Sequence, residues 1–138
     1  MALRIMANAE AIASAYLRSV PEVSALVGSR IYTVLPRKES DRVFPVVRIS
    51  RIGGGPTGSP AYLDRALLSV EVWGGSKSEA FTIASTIAGA LDEIDGYSTG
   101  DGYATGSSPG ALRYIEDGDF EPPKARYVVD VVAYFRPS

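Results

Sequence analysis

The hydrophobic period of this chain changes from two to about 3.6 residues between positions 64 and 94, and this change constrains the fold more than any other feature. Apolar residues alternate with other residues from Leu68 to Trp73, which predicts a strand with two unlike faces. After Gly74-Gly75, apolar residues recur at helical spacing as far as Ile94. We therefore predict a strand, a tight turn and a long helix, in this order.

Both ends of the predicted helix carry capping residues. Ser76 and Glu79 have the spacing of a capping box, and Asp95-Gly96 supplies a stop. The strand face that we expect to receive the helix carries Leu68, Val70 and Val72. The face that we expect to point away, toward a neighbouring copy, carries Ser69, Glu71 and Trp73.

Composition argues against an enzyme. The chain has 138 residues, of which 46% are hydrophobic and 22% charged, as is usual for one globular domain. It contains no cysteine and no histidine, which removes thiolate chemistry, the most common general base and the most common metal ligands. We therefore predict no catalytic, cofactor-binding or metal-binding residues. The net charge of −2 argues against broad nucleic-acid binding.

Neither a targeting signal nor a membrane span is predicted. The first ten residues lack a long apolar core and include the acidic Glu10, unlike a secretory signal. No apolar run approaches the roughly 18–20 residues that cross a bilayer. We expect the protein to be made and kept in a cytoplasm, without membrane association.

Two helices are predicted at the start of the chain. The first spans residues 8–19, with Asn8 as its N-cap. The second begins at Pro21, which suits a first helical turn, and Gly28 closes it after Val27.

Four further segments are predicted to be extended: 31–35, 46–52, 111–120 and 124–135. The last is apolar on both faces, because Tyr127, Val129 and Val131 alternate with Val128 and Val132. A strand of this kind is expected to be central, or to be covered by another subunit.

The remaining segments are predicted to be loops. Residues 37–42 form a mixed-charge loop, typical of a solvated surface or an interface rim. Residues 53–63 and 96–110 are rich in Gly, Ser and Pro, and we expect both to be mobile. The first lacks the Gly-Lys-Ser/Thr ending of a phosphate loop. The acidic segment 116–119 fits either a cation site or, more readily, a solvated turn.

These elements together predict an α+β fold. Long strands joined by turn-rich links favour a mainly antiparallel sheet of four to five strands, with the helices packed on one face. Residues 1–138 are expected to form a single domain. The other sheet face is a candidate oligomer surface, with Arg48, Glu71, Trp73, Asp130 and Tyr134 as its candidate residues.

Several motifs, in this order, resemble one family. Helix 20–28 runs into Arg30-Ile31-Tyr32, and a strand opened by proline follows at 44–49. The strand 68–74 with its helix and the closing strand 125–135 complete the pattern. In this order and spacing, the chain resembles the tail-terminator, or tail-completion, proteins of long-tailed bacteriophages.

The resemblance implies a structural role in the virion. Such proteins form a ring, generally a hexamer, at the head-proximal end of the tail tube. The ring stops tube polymerisation and joins the tail to the head connector, and genomic DNA passes through its bore without sequence-specific binding. The implied partners are other copies of the chain, the tail tube protein and the head connector or neck protein.

Two alternatives remain open. One is another phage neck, connector or minor tail protein, which would differ in the surface it docks. The other is a small α+β enzyme or ligand-binding domain that uses Arg48, Glu71 and Asp130 in a cleft, which a strongly shifted carboxylate would favour.

Overall fold

The computed structural model describes residues 5–38, 42–57, 63–120 and 123–137. Over these residues the chain forms three helices and six strands. In chain order they are α1 (Ala9–Ser19), α2 (Pro21–Val27), β1 (Ile31–Tyr32), β2 (Val46–Thr57), β3 (Leu63–Gly74), α3 (Lys77–Leu91), β4 (Ser98–Thr99), β5 (Gly102–Tyr114) and β6 (Ala125–Arg136).

The strands form a single sheet in the order β1-β2-β3-β6-β5-β4. Every neighbouring pair is antiparallel except β1 and β2, which run parallel. The α+β class and the mainly antiparallel sheet are confirmed, whereas four to five strands is too few. The prediction missed β4, a two-residue strand that offers no periodicity to detect.

The prediction that residues 96–110 form a loop is wrong. Residues 98–99 form β4, and β5 runs from Gly102 to Tyr114 along β6. Its sequence has poor β-propensity, but strand formation depends on the neighbour a segment can pair with, and β6 supplies one. Two register shifts, after Ala104 and after Pro109, accommodate the glycines and the proline.

The predicted loop 53–63 is shorter than expected. Residues 53–57 continue β2 and pair with β3 as far as Thr57 and Leu63, while 58–62 lie outside the described residues. A register shift between Arg51 and Gly53 lets the hairpin twist. Gly54 has a φ of 88°, and a Cβ there would lie 1.9 Å from the carbonyl oxygen of Arg65. Only glycine fits this position.

The three predicted helices and the N-caps Asn8 and Ser76 are confirmed, whereas α3 ends at Leu91 with Asp92 as its C-cap, before the predicted stop at Asp95-Gly96. The side chain of Asn8 accepts a hydrogen bond from Ala11 N–H at 3.1 Å, and Ser76 accepts one from Glu79 N–H at 3.1 Å. The Glu79 carboxylate accepts from Gly75 N–H at 2.7 Å, one residue before the position expected in a capping box.

All three helices pack on the same face of the sheet. The predicted inward residues Leu68, Val70 and Val72 are buried there, as are alternate residues of β6 from Val129 to Phe135. β6 lies between β3 and β5, which confirms its predicted central position. The helices contribute Ile12, Leu17, Val23, Val27, Ile83, Ile87 and Leu91 to this core.

An ionic cluster ties α1 to the rim of the sheet. The backbone N–H of Arg51, in β2, donates to the Glu10 carboxylate of α1 at 2.7 Å. The Arg51 guanidinium contacts both oxygens of Asp64, which is only 2% exposed. This cluster satisfies a backbone donor of β2 with a side chain of α1.

Gly74 sets the distance between α3 and the sheet. A Cβ at this position would lie 2.9 Å from the backbone nitrogen of Ala80, whereas a Cβ at Gly89, on the exposed side of α3, would meet no atom within 4 Å. The tight turn after β3 therefore requires glycine for close approach.

We predict opposite effects for alanine at these two glycines. Gly74→Ala should destabilise the fold by about 1–3 kcal/mol because α3 must shift. Gly89→Ala, the matched control, should stabilise it by about 0.5–1 kcal/mol because alanine favours a helix interior. Urea unfolding measures both values, and equal effects at the two sites would contradict the packing described here.

Candidate functional site

The sheet face opposite the helices, here called the open face, carries the predicted interface residues. Cross-strand pairing places Arg48 beside Glu71, Ser69 beside Asp130, and Leu67 beside Val132 on this face. Its central residues are half-buried rather than buried. The chain therefore presents an extended surface on which apolar, arginine and carboxylate groups are mixed.

One end of the open face is an ion-pair network centred on Glu71. Arg48 donates through Nε and Nη2 to Oε1 of Glu71, at 2.8 and 2.6 Å. Arg126 donates through Nη1 to the other carboxylate oxygen at 3.0 Å. One carboxylate thus holds two guanidinium groups from the strands on either side of β3, which fixes their positions.

Trp73 lies beside this network and is covered by its own chain. Its indole N–H donates to Oδ2 of Asp117 at 2.8 Å, and its ring packs 6.4 Å from that of Phe120. Arg48 lies over the indole at 5.3 Å. Trp73 is 1% exposed, so the expectation that its own ring points toward a neighbouring copy is corrected: residues 117–120 of its own chain cover it.

Asp117 is held in its ionised form. Burial raises the pKa of its carboxyl, but hydrogen bonds from the Trp73 indole and the Asp119 N–H, together with the charges of Arg126 and Arg48, outweigh burial and leave the pKa below its ordinary value. A carboxylate fixed in this way stabilises the fold and is poorly suited to exchange protons at neutral pH.

The same residues form the floor of a cleft of about 400 Å³. Its lining comprises Val34, Leu35, Arg37, Arg42, Arg48, Trp73, Asp117, Asp119, Phe120 and Arg126. The cleft thus combines an aromatic floor with four arginines and two carboxylates, and we call it the arginine cleft.

The remaining candidates lie farther along the open face. Asp130 pairs with Arg113 at 3.0 Å, and both side chains are about half exposed. Tyr134 is half-buried and lies opposite Arg65 of β3. The structure thus brings Arg48, Glu71 and Trp73 into one cluster and leaves Asp130 and Tyr134 outside it.

Among the described residues, no group of three acidic side chains is placed to bind a metal ion. The acidic segment 116–119 instead contributes Asp117 to the indole hydrogen bond. In the same part of the chain, no helix has the length and hydropathy needed to cross a membrane.

The sequence from residue 11 to residue 101 matches the model of a family described as tail completion protein gp17. This match spans about two thirds of the 138 residues. The chain belongs to this family of phage tail proteins. The family is one of structural phage tail proteins. The resemblance predicted from the order of the motifs is thereby confirmed.

One solved structure shares the fold over nearly the whole chain. It is titled "Virion of native gene transfer agent (GTA) particle", and one of its chains superposes with a TM-score of 0.66 at 18% sequence identity. The alignment covers 94% of this chain and 93% of that chain. A search of curated proteins finds no match.

Three important residues of this tail completion protein were not predicted for the site. Arg126 shares Glu71 with Arg48, while Asp117 and Phe120 cover Trp73. The period-two pattern of β6 places Arg126 on the same face as Val128, so the sequence contained a signal for it. Asp117 and Phe120 follow the end of β5 and have no periodicity, so only the path of the chain brings them to Trp73.

We predict that Asp117 contributes pH-dependent stability. Because the pKa of Asp117 is lowered in the folded chain, its contribution is present above the unfolded pKa of about 3.9 and is lost as the pH falls through the folded pKa. Asp117→Asn should reduce stability at pH 7 by about 1–3 kcal/mol and weaken the dependence on pH below 5.

The control for this prediction is Asp119→Asn, because Asp119 lies in the same turn and is exposed. Its unfolding free energy between pH 3 and 7 should follow that of the unmodified chain. If the unfolding free energies of the two variants depended on pH in the same way, a structural role for the Asp117 carboxylate would be contradicted.

Proposed function

We propose that this protein forms a ring, generally a hexamer, that caps the head-proximal end of the phage tail tube. The ring stops tube polymerisation and forms part of the head–tail joining interface. Membership of the tail completion family carries this proposal, because the match covers α1 from Ala11 onward and every following element as far as β4. The fold shared with a chain of a gene transfer agent virion supports a location in the virion.

The edges of the sheet are poorly suited to joining copies, which favours ring closure through side-chain faces. The edge strands β1 and β4 have only two residues each, so most of β2 and of β5 has no further strand beside it among the described residues. β2 carries a register shift, Pro56 and the Glu10 contact, and β5 carries two register shifts and Pro109. Bulges and prolines hinder the addition of another strand. Strand addition is therefore a poor way to join copies of this chain, and the open face is the better candidate.

The chemistry of the open face suits a protein interface. Leu67 and Val132 supply apolar area at its centre, and Arg113 and Asp130 supply a half-exposed ion pair at one side. Mixed apolar and arginine surface is typical of protein–protein contacts. We assign the candidate residues Arg48, Glu71, Asp130 and Tyr134 to this interface, with Trp73 supporting it from beneath.

A ring at the end of the tail tube has a different proposed partner on each of its two sides. The tail tube protein binds one side of the ring, the head connector or neck protein binds the other, and genomic DNA passes through the bore without base-specific contacts. Assembly takes place in the host cytoplasm, and the finished protein remains at the head-proximal end of the tail.

The alternative role as another neck or connector component makes a different prediction for tube length. A phage without a terminator should produce tubes of uncontrolled length, whereas a phage without a connector should produce finished tubes that fail to join heads. Electron microscopy of lysates from a phage that lacks this gene separates the two roles. Normal tubes would overturn the terminator proposal.

We predict that the open face is needed for this function. Val132→Arg adds a charge at the centre of the open face and should abolish the rescue of tube length when the variant is supplied to the deleted phage. Thr82→Arg, on the exposed side of α3, is the matched control and should rescue. Circular dichroism verifies that both variants fold, and rescue by Val132→Arg would show that the ring uses another surface.

A further inference from the structure

The arginine cleft has the charge and size to bind carboxylate side chains of another protein. Its lining contains four arginines and two aspartates. Glu71 already holds Arg48 and Arg126, whereas Arg37 is exposed and Arg42 is half-buried at the rim. Guanidinium groups bind carboxylates through paired hydrogen bonds, most strongly where water is partly excluded.

The occupant that fits this cleft is a protein segment rather than nucleic acid. A cleft of about 400 Å³ accommodates a few side chains, as small ligand sites do. Asp117 and Asp119 in its wall would repel a continuous run of phosphates. Val34, which lines the cleft, is 74% exposed and offers an apolar contact at its mouth.

A matching acidic surface follows α3. Asp92, Glu93 and Asp95, here called the acidic corner, are all exposed, and the last turn of α3 contains no basic residue. A helix C-terminus favours cations, so these carboxylates are placed where the helix dipole disfavours them. Within the described parts of the chain, none of the three takes part in an ion pair. The fold itself gives no stabilising reason for this cluster of charges.

The arginine cleft and the acidic corner lie at opposite ends of the sheet. Trp73 and Arg126 pair at the cleft end of β3 and β6, and Asp64 and Phe135 pair at the other end, nine residues away along β3. Phe135 pairs with Ala104, whose carbonyl accepts from Gly96 N–H beside the acidic corner. At about 3.3 Å per strand residue, the two sites are roughly 30 Å apart.

We propose that the acidic corner of one copy binds in the arginine cleft of the next copy. The contact rests on the proposed ring and specifies how its subunits join. Because the two patches differ and lie at opposite ends, each copy binds one neighbour at each end. Such a head-to-tail contact produces a ring when its rotation closes, whereas a contact between identical patches would stop at a dimer.

Disulfide crosslinking tests this contact, because the natural chain has no cysteine. The variant with both Arg37→Cys and Asp92→Cys, assembled on tail tubes and mildly oxidised, should give a ladder of covalent oligomers up to the full ring. Each single variant should remain monomeric on a denaturing gel. The matched control, Arg37→Cys with Thr82→Cys, should also remain monomeric, since Thr82 lies on the exposed side of α3.

The outcomes separate this contact from the function on which it rests. If tubes are capped at normal length but the double variant gives no ladder, the ring proposal stands and the cleft contact is wrong. If no ring forms on tubes with the unmodified chain, the contact falls together with the ring. A ladder from the Thr82 control equal to that from the Asp92 pair would also overturn the contact, because crosslinking would then be indiscriminate.

Charge exchange provides a second, independent measurement. Asp92→Lys should raise the Tm of the isolated chain by about 1–4 °C, since it suits the helix dipole, yet lower the yield of rings about tenfold. Arg37→Glu should lower ring yield to a similar extent, and the two substitutions together should restore most of it. If both single variants lower the yield of rings and the folded double variant does not restore it, direct pairing of the two patches is contradicted.

Discussion

The full-length pairing of β6 with β3 on one side and β5 on the other is the interaction on which the rest of the structure depends. Eleven residue pairs join β3 to β6, from Asp64–Phe135 to Gly74–Ala125. Because side chains alternate along both strands, this register places one apolar set under the three helices and leaves the other set on the open face. A shift of one residue would exchange the two faces and expose the core.

Placing all helices on one face creates a second problem at the other face, where Trp73 would be exposed. The chain solves it locally: residues 117–120 cover the indole, and Asp117 accepts its N–H. The Glu71 carboxylate then binds the two arginines at its sides, one through each oxygen. Among the described residues, this end is the part of the open face that the chain itself covers. The remainder, around Leu67 and Val132, is half-buried and is the surface assigned to other subunits.

Positive and negative side chains are concentrated at opposite ends of the sheet. Arginines gather around the cleft at the Trp73 end, and carboxylates gather after α3 at the opposite end, although the net charge is only −2. The strands β2 and β5, which lie next to the two-residue edge strands, carry bulges and prolines that hinder the addition of another strand. A chain with this distribution of charge is suited to head-to-tail joining through side chains, as the proposed ring requires.

The sequence alone determined the elements whose signals are local. Three such signals predicted their elements correctly: the change of period after Trp73, the caps at Asn8 and Ser76, and the two apolar faces of β6. Each signal reflects the geometry of a single strand or helix. Period two also placed Glu71 and Trp73 on one face of β3, but only the pairing of β2 with β3 brought Arg48 beside them. Only the tertiary structure decided that the Gly- and Ser-rich segment at 102–110 is a strand, because its hydrogen bonds come from β6. The burial of Trp73 was decided in the same way, because the residues that cover it lie 44 positions or more along the chain. Contacts over such a separation leave no periodic trace in the sequence.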